Sequence, residues 1–146
     1  MRGEKIYEYE ADMTGMIDFG IELGAILEGG KPIPPQGARF DATFDGPCTG
    51  RIAGRVSGVD HAYMRPDGRL ELNLRGVFET HDGARIALLA TGVGVFRAGE
   101  PVLDLSENVS LLTASDAYGW VNARQIWAVG TANLGTGKIL IEGYLQ

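Results

Sequence analysis

A chain of 146 residues, 45% apolar and 22% charged, is long enough to bury a core and is not of disordered composition. Its net charge of −6 argues against nucleic acid and anionic membrane as partners, since both call for a basic surface. No apolar run reaches the roughly 20 residues of a membrane helix, and the first residues enter alternating sequence with no signal-peptide core. One domain, 1–146, in the cytoplasm is therefore expected.

Residues 5–12 alternate, with Tyr7, Tyr9 and Ala11 on one face, as in a strand. Residues 17–27 are apolar with glycine interruptions and read as a bent strand or a loop. Residues 28–37 hold three prolines and three glycines, a long loop of the kind that covers sites. Residues 38–45 alternate again, with Phe40, Ala42 and Phe44 together. Residues 48–65 read as one long strand, or two joined at Gly58. Residues 69–80 give the clearest strand: Leu70, Leu72, Leu74 and Phe78 share a face opposite Glu71, Asn73, Arg75 and Glu79. Residues 84–97 are apolar on both faces. Residues 102–114 and 122–133 read as strands, and 138–145 closes the chain.

Pro66-Asp67-Gly68 and His81-Asp82-Gly83 are hairpin turns between these strands. No capped amphipathic helix is visible. An all-β fold follows, a single antiparallel up-and-down barrel of about eight strands, with the 22 glycines supplying points of curvature. In the 84–97 strand, Ile86, Leu88 and Ala90 oppose Leu89, Val93 and Val95. An outer apolar stripe calls for a cover, and with no helix to provide it a homo-oligomer is expected.

The ordered set Gly58-Val59-Asp60, Arg65-Pro66-Asp67-Gly68 and Thr80-His81-Asp82-Gly83-Ala84-Arg85-Ile86 resembles the pattern of the bacterial domain-of-unknown-function family 3237. The later Tyr118-Gly119-Trp120-Val121-Asn122 is similar to that family's "Y-x-W-x-N" segment. Asn73 stands where the resemblance leads one to expect an acid. The resemblance implies a calycin-like barrel, lipocalin-like or allene-oxide-cyclase-like. Barrels of that kind bind small apolar ligands, and some are cofactor-free cyclases or isomerases.

Several motif-like strings fail. Gly92-Val93-Gly94 with Gly99 lacks the spacing and helix of a dinucleotide fingerprint, and Gly135-Thr136-Gly137-Lys138 has Ala132 and Ile139 where a phosphate loop needs Gly and Ser or Thr. His61 and His81 are too few for zinc, and neither a metal nor another cofactor is expected. Cys48, the one cysteine, reads as a small buried apolar residue.

Candidate chemistry comes from register. A three-residue loop at Pro66-Asp67-Gly68 sets Tyr63 opposite Glu71, His61 opposite Asn73 and Val59 opposite Arg75. His61, Tyr63, Asn73, Arg75 and Glu79 then share one sheet face. If that face lines the lumen, His61 and Tyr63 are candidates to move protons and Arg75 to hold an oxyanion. Asp60, Asn73 and Glu79 would line the same ligand site. If it is the solvated face, the leucines fill the barrel. A two-residue Asp67-Gly68 turn would instead set Asp60 opposite Arg75 and turn His61 over. Tyr118, Trp120 and Asn122 are further ligand-contact candidates, by aromatic stacking or as core and interface residues. The expected function is small-molecule binding. It is either cofactor-independent isomerase, cyclase or lyase chemistry on an apolar or aromatic metabolite, or carriage without chemistry. A solid-cored interaction protein is the remaining alternative.

Overall fold

Strand-forming alternation accounts for most of the molecule. The computed structural model describes residues 3–146, and among them eight antiparallel strands close a barrel in chain order. They are β1 Glu4–Asp18, β2 Ala38–Gly50, β3 Gly54–Met64, β4 Leu70–Thr80, β5 Arg85–Phe96, β6 Val102–Leu112, β7 Ile126–Asn133 and β8 Lys138–Leu145. β8 pairs with β1, so no strand edge is left to recruit another chain. This is the expected up-and-down barrel.

The boundaries differ from the sequence reading in instructive ways. β1 runs on to Asp18, and a short helix, α1 Leu23–Leu27, follows it in the stretch read as bent strand or loop. The long pattern at 48–65 breaks at residues 51–53, not at Gly58. Gly58 stays inside β3 opposite Gly76. A Cβ there would lie 2.4 Å from the Arg75 carbonyl oxygen, so this glycine marks a close strand approach. The stretch read as the start of the 122–133 strand is instead a turn and connection that follows a 3-10 segment, Asp116–Val121, and β7 begins at Ile126.

The hairpin between β3 and β4 has the three-residue form. The Arg65 N–H donates to the Arg69 carbonyl and the Gly68 N–H to the Arg65 carbonyl, each at 2.9 Å. Gly68 has φ +91°, the left-handed position that such a loop gives to glycine. Tyr63 therefore pairs with Glu71 and Val59 with Arg75, and the two-residue alternative does not occur.

Parity then decides what fills the barrel. Leu70, Leu72, Leu74 and Phe78 of β4 point inward and are buried, as are Ile86, Leu88 and Ala90 of β5. One end is sealed by Ile6, Ile52 and Ile126 together with Val121 of the 3-10 segment, all at 0% exposure. At the other end the register of β1 against β2 shifts between Met13 and Gly15. That bulge inserts a residue, so Met13 and Met16 both reach the mouth beside α1. The outer apolar stripe remains uncovered: Leu89, Val95 and Leu112 are 40%, 54% and 67% exposed.

Candidate functional site

The inner face of β3 reads Gly54, Val56, Gly58, Asp60, Ala62, Met64, and that of β6 reads Leu103, Leu105, Glu107, Val109, Leu111. Each presents one acid at a position whose neighbours are apolar or glycine. Asp60 and Glu107 border the same lumen cavity, with a volume of about 70 Å³. Their strands stand three places apart in the ring of eight, separated by β4 and β5 one way and four strands the other. Tyr9, Phe40, Phe44, Leu72, Leu74 and Leu105 make up much of the wall between them, and no cationic side chain lines it.

A water needs roughly 10–15 Å³ of such space, so the cavity as it stands has room for a few waters or a very small ligand. A larger occupant requires the mouth to open. Met13, Met16, Leu23, Phe96 and Leu134 border the cavity and also a groove of about 700 Å³ outside it. These five side chains are the partition between lumen and mouth. None of the α1 side chains is fully buried, and Leu23 and Ile26 are the ones that pack against the core.

The two acids are held differently. One Asp60 carboxylate oxygen, Oδ1, accepts the Asn73 backbone N–H at 2.9 Å. The β3–β4 ladder skips His61 and Ala62 at this point, pairing Asp60 with Leu74 and then Tyr63 with Glu71. Burial pushes Asp60 up to about 6; the Asn73 hydrogen bond and His61 oppose the rise, and Asp41 adds to it. Glu107 is 6% exposed. Burial, reinforced by Asp60, pushes it up to about 8. No hydrogen bond reaches its carboxyl among the described residues, whereas every fully enclosed side-chain N or O atom has a partner. The Glu107 oxygens therefore border the free space of the cavity. Near pH 7 Asp60 is mainly ionised and Glu107 mainly protonated. Burial also holds the Tyr9 phenol well above its ordinary range, with Glu107 adding to the effect.

Of the residues singled out in the sequence, Asp60 lines the lumen and the others fall elsewhere. His61, Tyr63, Asn73, Arg75 and Glu79 take the opposite parity to Asp60 and Leu74, on the outer wall, so they do not converge in the mouth. The reason is the alternation itself: β4 turns its leucines inward, and the residues between them must face out. His61 Nδ1 lies 3.1 Å from Asp41 Oδ1 and 3.1 Å from Arg39 Nη2. Tyr63 donates its hydroxyl to the Gln36 carbonyl at 2.8 Å, which anchors the proline-rich loop. Arg75 is exposed, and Glu79 sits 3.6 Å from Arg85. Asn73 serves the lumen through its backbone N–H alone.

Tyr118, Trp120 and Asn122 cluster at the sealed end, away from the mouth. Tyr118 donates to Asp82 at 2.9 Å, and the Arg51 guanidinium stacks 3.9 Å from the Trp120 ring. Asn122 accepts the Thr113 N–H and donates to the Thr113 carbonyl, both at 2.8 Å. Cys48 is buried, with its thiol raised by burial. Among the described residues no group of three or more His, Cys, Asp or Glu side chains is placed to hold a metal, and no helix is long and apolar enough to cross a membrane.

No curated protein matches the chain. Its fold is similar to that of a protein with unknown function from Clostridium acetobutylicum ATCC 824, with TM-score 0.79 and 20% identity over 97% of this chain and 94% of that one. A beta-barrel like protein from Acinetobacter baumannii AYE is similar at TM-score 0.76 and 21% identity, over 99% and 94%. An enzyme from Penicillium herquei is similar at TM-score 0.64 and 20% identity, over 98% and 92%. At such identities the likeness is one of fold. The family model described as "Protein of unknown function (DUF3237)" matches residues 21–144, and the chain belongs to that family.

Proposed function

We propose that this barrel binds a small apolar molecule in its lumen and performs cofactor-independent acid–base chemistry on it, of the isomerase, cyclase or lyase kind. The observation that carries the reading is the pair of acids, Asp60 and Glu107, in a lumen otherwise walled by apolar and aromatic side chains. Solvated acids would be ordinary, but acids withdrawn into apolar surroundings, Glu107 buried and Asp60 half-buried, are costly and seldom kept without use. Their environments hold one as a base and the other as an acid at the same pH. His61 and Asp41 act on Asp60 from beyond the wall, so the outer residues tune the base without touching the ligand.

The test begins with mass spectrometry of metabolites extracted from the purified protein, followed by incubation of the captured compound with fresh protein. Conversion by the wild type, with Asp60→Asn binding the compound yet converting it roughly 100- to 10,000-fold more slowly, is the expected result. Equal conversion by both proteins would remove Asp60 from the chemistry. Binding without conversion by either would make the barrel a carrier.

We also infer that copies of the chain associate through the outer face of β5 and β6, where Leu89, Val95 and Leu112 stand exposed. Light scattering at micromolar concentration should give a multiple of 15.6 kDa. A monomer mass would refute the association.

A further inference from the structure

Glu107 has a donor to offer that nothing in the protein takes up. It projects into the cavity from β6 at 6% exposure. No side chain or backbone group among the described residues hydrogen-bonds its carboxyl, and no cationic side chain lines the cavity to hold it ionised. A carboxyl so placed keeps its proton and presents one O–H towards the space in front of it. Across the lumen Asp60 has Oδ1 occupied by the Asn73 N–H, and its second oxygen makes no such bond. A molecule lying between the two walls meets a proton donor on one side and a proton acceptor on the other. The remaining lining is hydrocarbon and aromatic ring, apart from the Tyr9 hydroxyl.

We propose that the substrate is an uncharged carbonyl compound with a hydrogen on the carbon next to the carbonyl, its oxygen directed at Glu107 and that C–H at Asp60. The proposal rests on the acid–base reading above and narrows it. In the step, the free Asp60 oxygen takes the proton, and the electrons of the broken C–H bond become the C=C bond of an enol. The carbonyl π electrons move to oxygen, which takes the Glu107 proton. Where the substrate carries a C=C between the β and γ carbons, the enol is a dienol, and return of the Asp60 proton to its γ carbon, with Glu107 recovering its own, gives the conjugated isomer. No electrons are gained or lost overall, and no co-reactant is consumed.

Charged alternatives fit less well. A ligand carboxylate would share the lumen with ionised Asp60 and find no cation to pair with. An ammonium would have to shed its water in an apolar cavity against a single ionised side chain, one of whose oxygens is already engaged.

The experiment uses the full chain, as wild type, Asp60→Asn and Glu107→Gln, with three probes sharing one ring: cyclohex-3-en-1-one, cyclohexylamine and cyclohexanecarboxylate. Saturation-transfer NMR reads binding, and proton loss from the ketone in D2O reads abstraction. The expected result is that wild type binds the ketone in preference to the amine and the acid and speeds its exchange at least tenfold over buffer. Asp60→Asn should bind it with exchange returned to the buffer rate, and Glu107→Gln should lose at least tenfold in exchange. Preference for the amine or the carboxylate overturns the carbonyl assignment but leaves an acid-lined binding lumen. Ketone binding without exchange by the wild type overturns the proton-abstraction step. Failure of all three probes to bind overturns both this proposal and the lumen as the site. The wild-type arms decide the matter even where a variant does not fold.

Discussion

Two carboxyls that border one lumen depart far from their ordinary chemistry. Burial raises Asp60 to about 6 and Glu107 to about 8. A reaction needing Asp60 ionised and Glu107 protonated should rise through the first value and fall through the second, giving a bell between them. The titratable groups that act on the pair from outside it are His61 from β3 and Asp41 from β2, both beyond the wall on Asp60, while Glu107 in turn raises Tyr7 and Tyr9 of β1. Initial rates from pH 4 to 10 read this directly, and a flat profile between 5 and 9 would dissociate the pair from catalysis. Arg75, exposed on the outer wall, should by contrast be replaceable. Arg75→Leu is expected to change unfolding free energy by less than about 0.5 kcal/mol and to leave ligand affinity unaltered, as chemical denaturation and titration would check. Both acids were open to a reader of the sequence, for each interrupts an apolar alternation: Glu107 between Leu105 and Val109, Asp60 between Gly58 and Ala62. Asp60 is read from the sequence as a ligand-site residue; Glu107 is passed over for His61, Tyr63 and Arg75, whose chemistry is conspicuous but whose parity is that of the solvated face.

Among elements, turn chemistry was the most legible feature. Proline followed by Asp-Gly fixed the β3–β4 loop and with it the register of two strands. The bulge in β1 was not legible, because Met13, Thr14, Gly15 and Met16 form no alternation that distinguishes an inserted residue from a strand end. The 3-10 segment was hidden for another reason. Its order comes from contacts distant in sequence, Tyr118 to Asp82 and Trp120 to Arg51, and from the burial of Val121 in the sealed end. Asn122, which the sequence offered as a ligand contact, is here a clamp between the end of β6 and the residues before β7. Asn122→Ala leaves the Thr113 N–H and carbonyl without these partners, and should cost roughly 1–3 kcal/mol in urea unfolding. Because the clamp lies at the end opposite the mouth, ligand binding should be untouched. A loss of affinity without a loss of stability would reassign Asn122 to a ligand site.

For the molecule as a whole, the buried acids make stability depend on pH in an uncommon direction. Carboxylates that are ion-paired in the folded state have lowered values and stabilise proteins as pH rises; Asp60 and Glu107 are raised, so the folded state holds their protons more tightly than the unfolded chain does. Stability therefore falls as pH rises wherever the unfolded chain has released protons that the folded state retains. For Glu107 that window opens near the ordinary value of 4.5 and closes near 8; for Asp60 it runs from 3.8 to about 6. Below pH 4 neither group contributes a penalty, and above 8 both penalties are complete. The net charge of −6 adds self-repulsion in the same direction, so the wild-type curve alone does not isolate the buried pair. Glu107→Gln does, since it retains the shape, removes the titration and changes the net charge by one. Relative to wild type, the variant should gain on the order of a few kcal/mol between pH 5 and pH 8.5, measured as the difference of two urea unfolding free energies at each pH. Sodium chloride at 0.5 M should diminish the surface contribution while leaving this difference largely intact, because screening acts weakly on a group enclosed in the lumen. A variant whose stability tracks the wild type in parallel across that range would mean that Glu107 titrates as a solvated acid, and the acid of the lumen pair would have to be sought elsewhere.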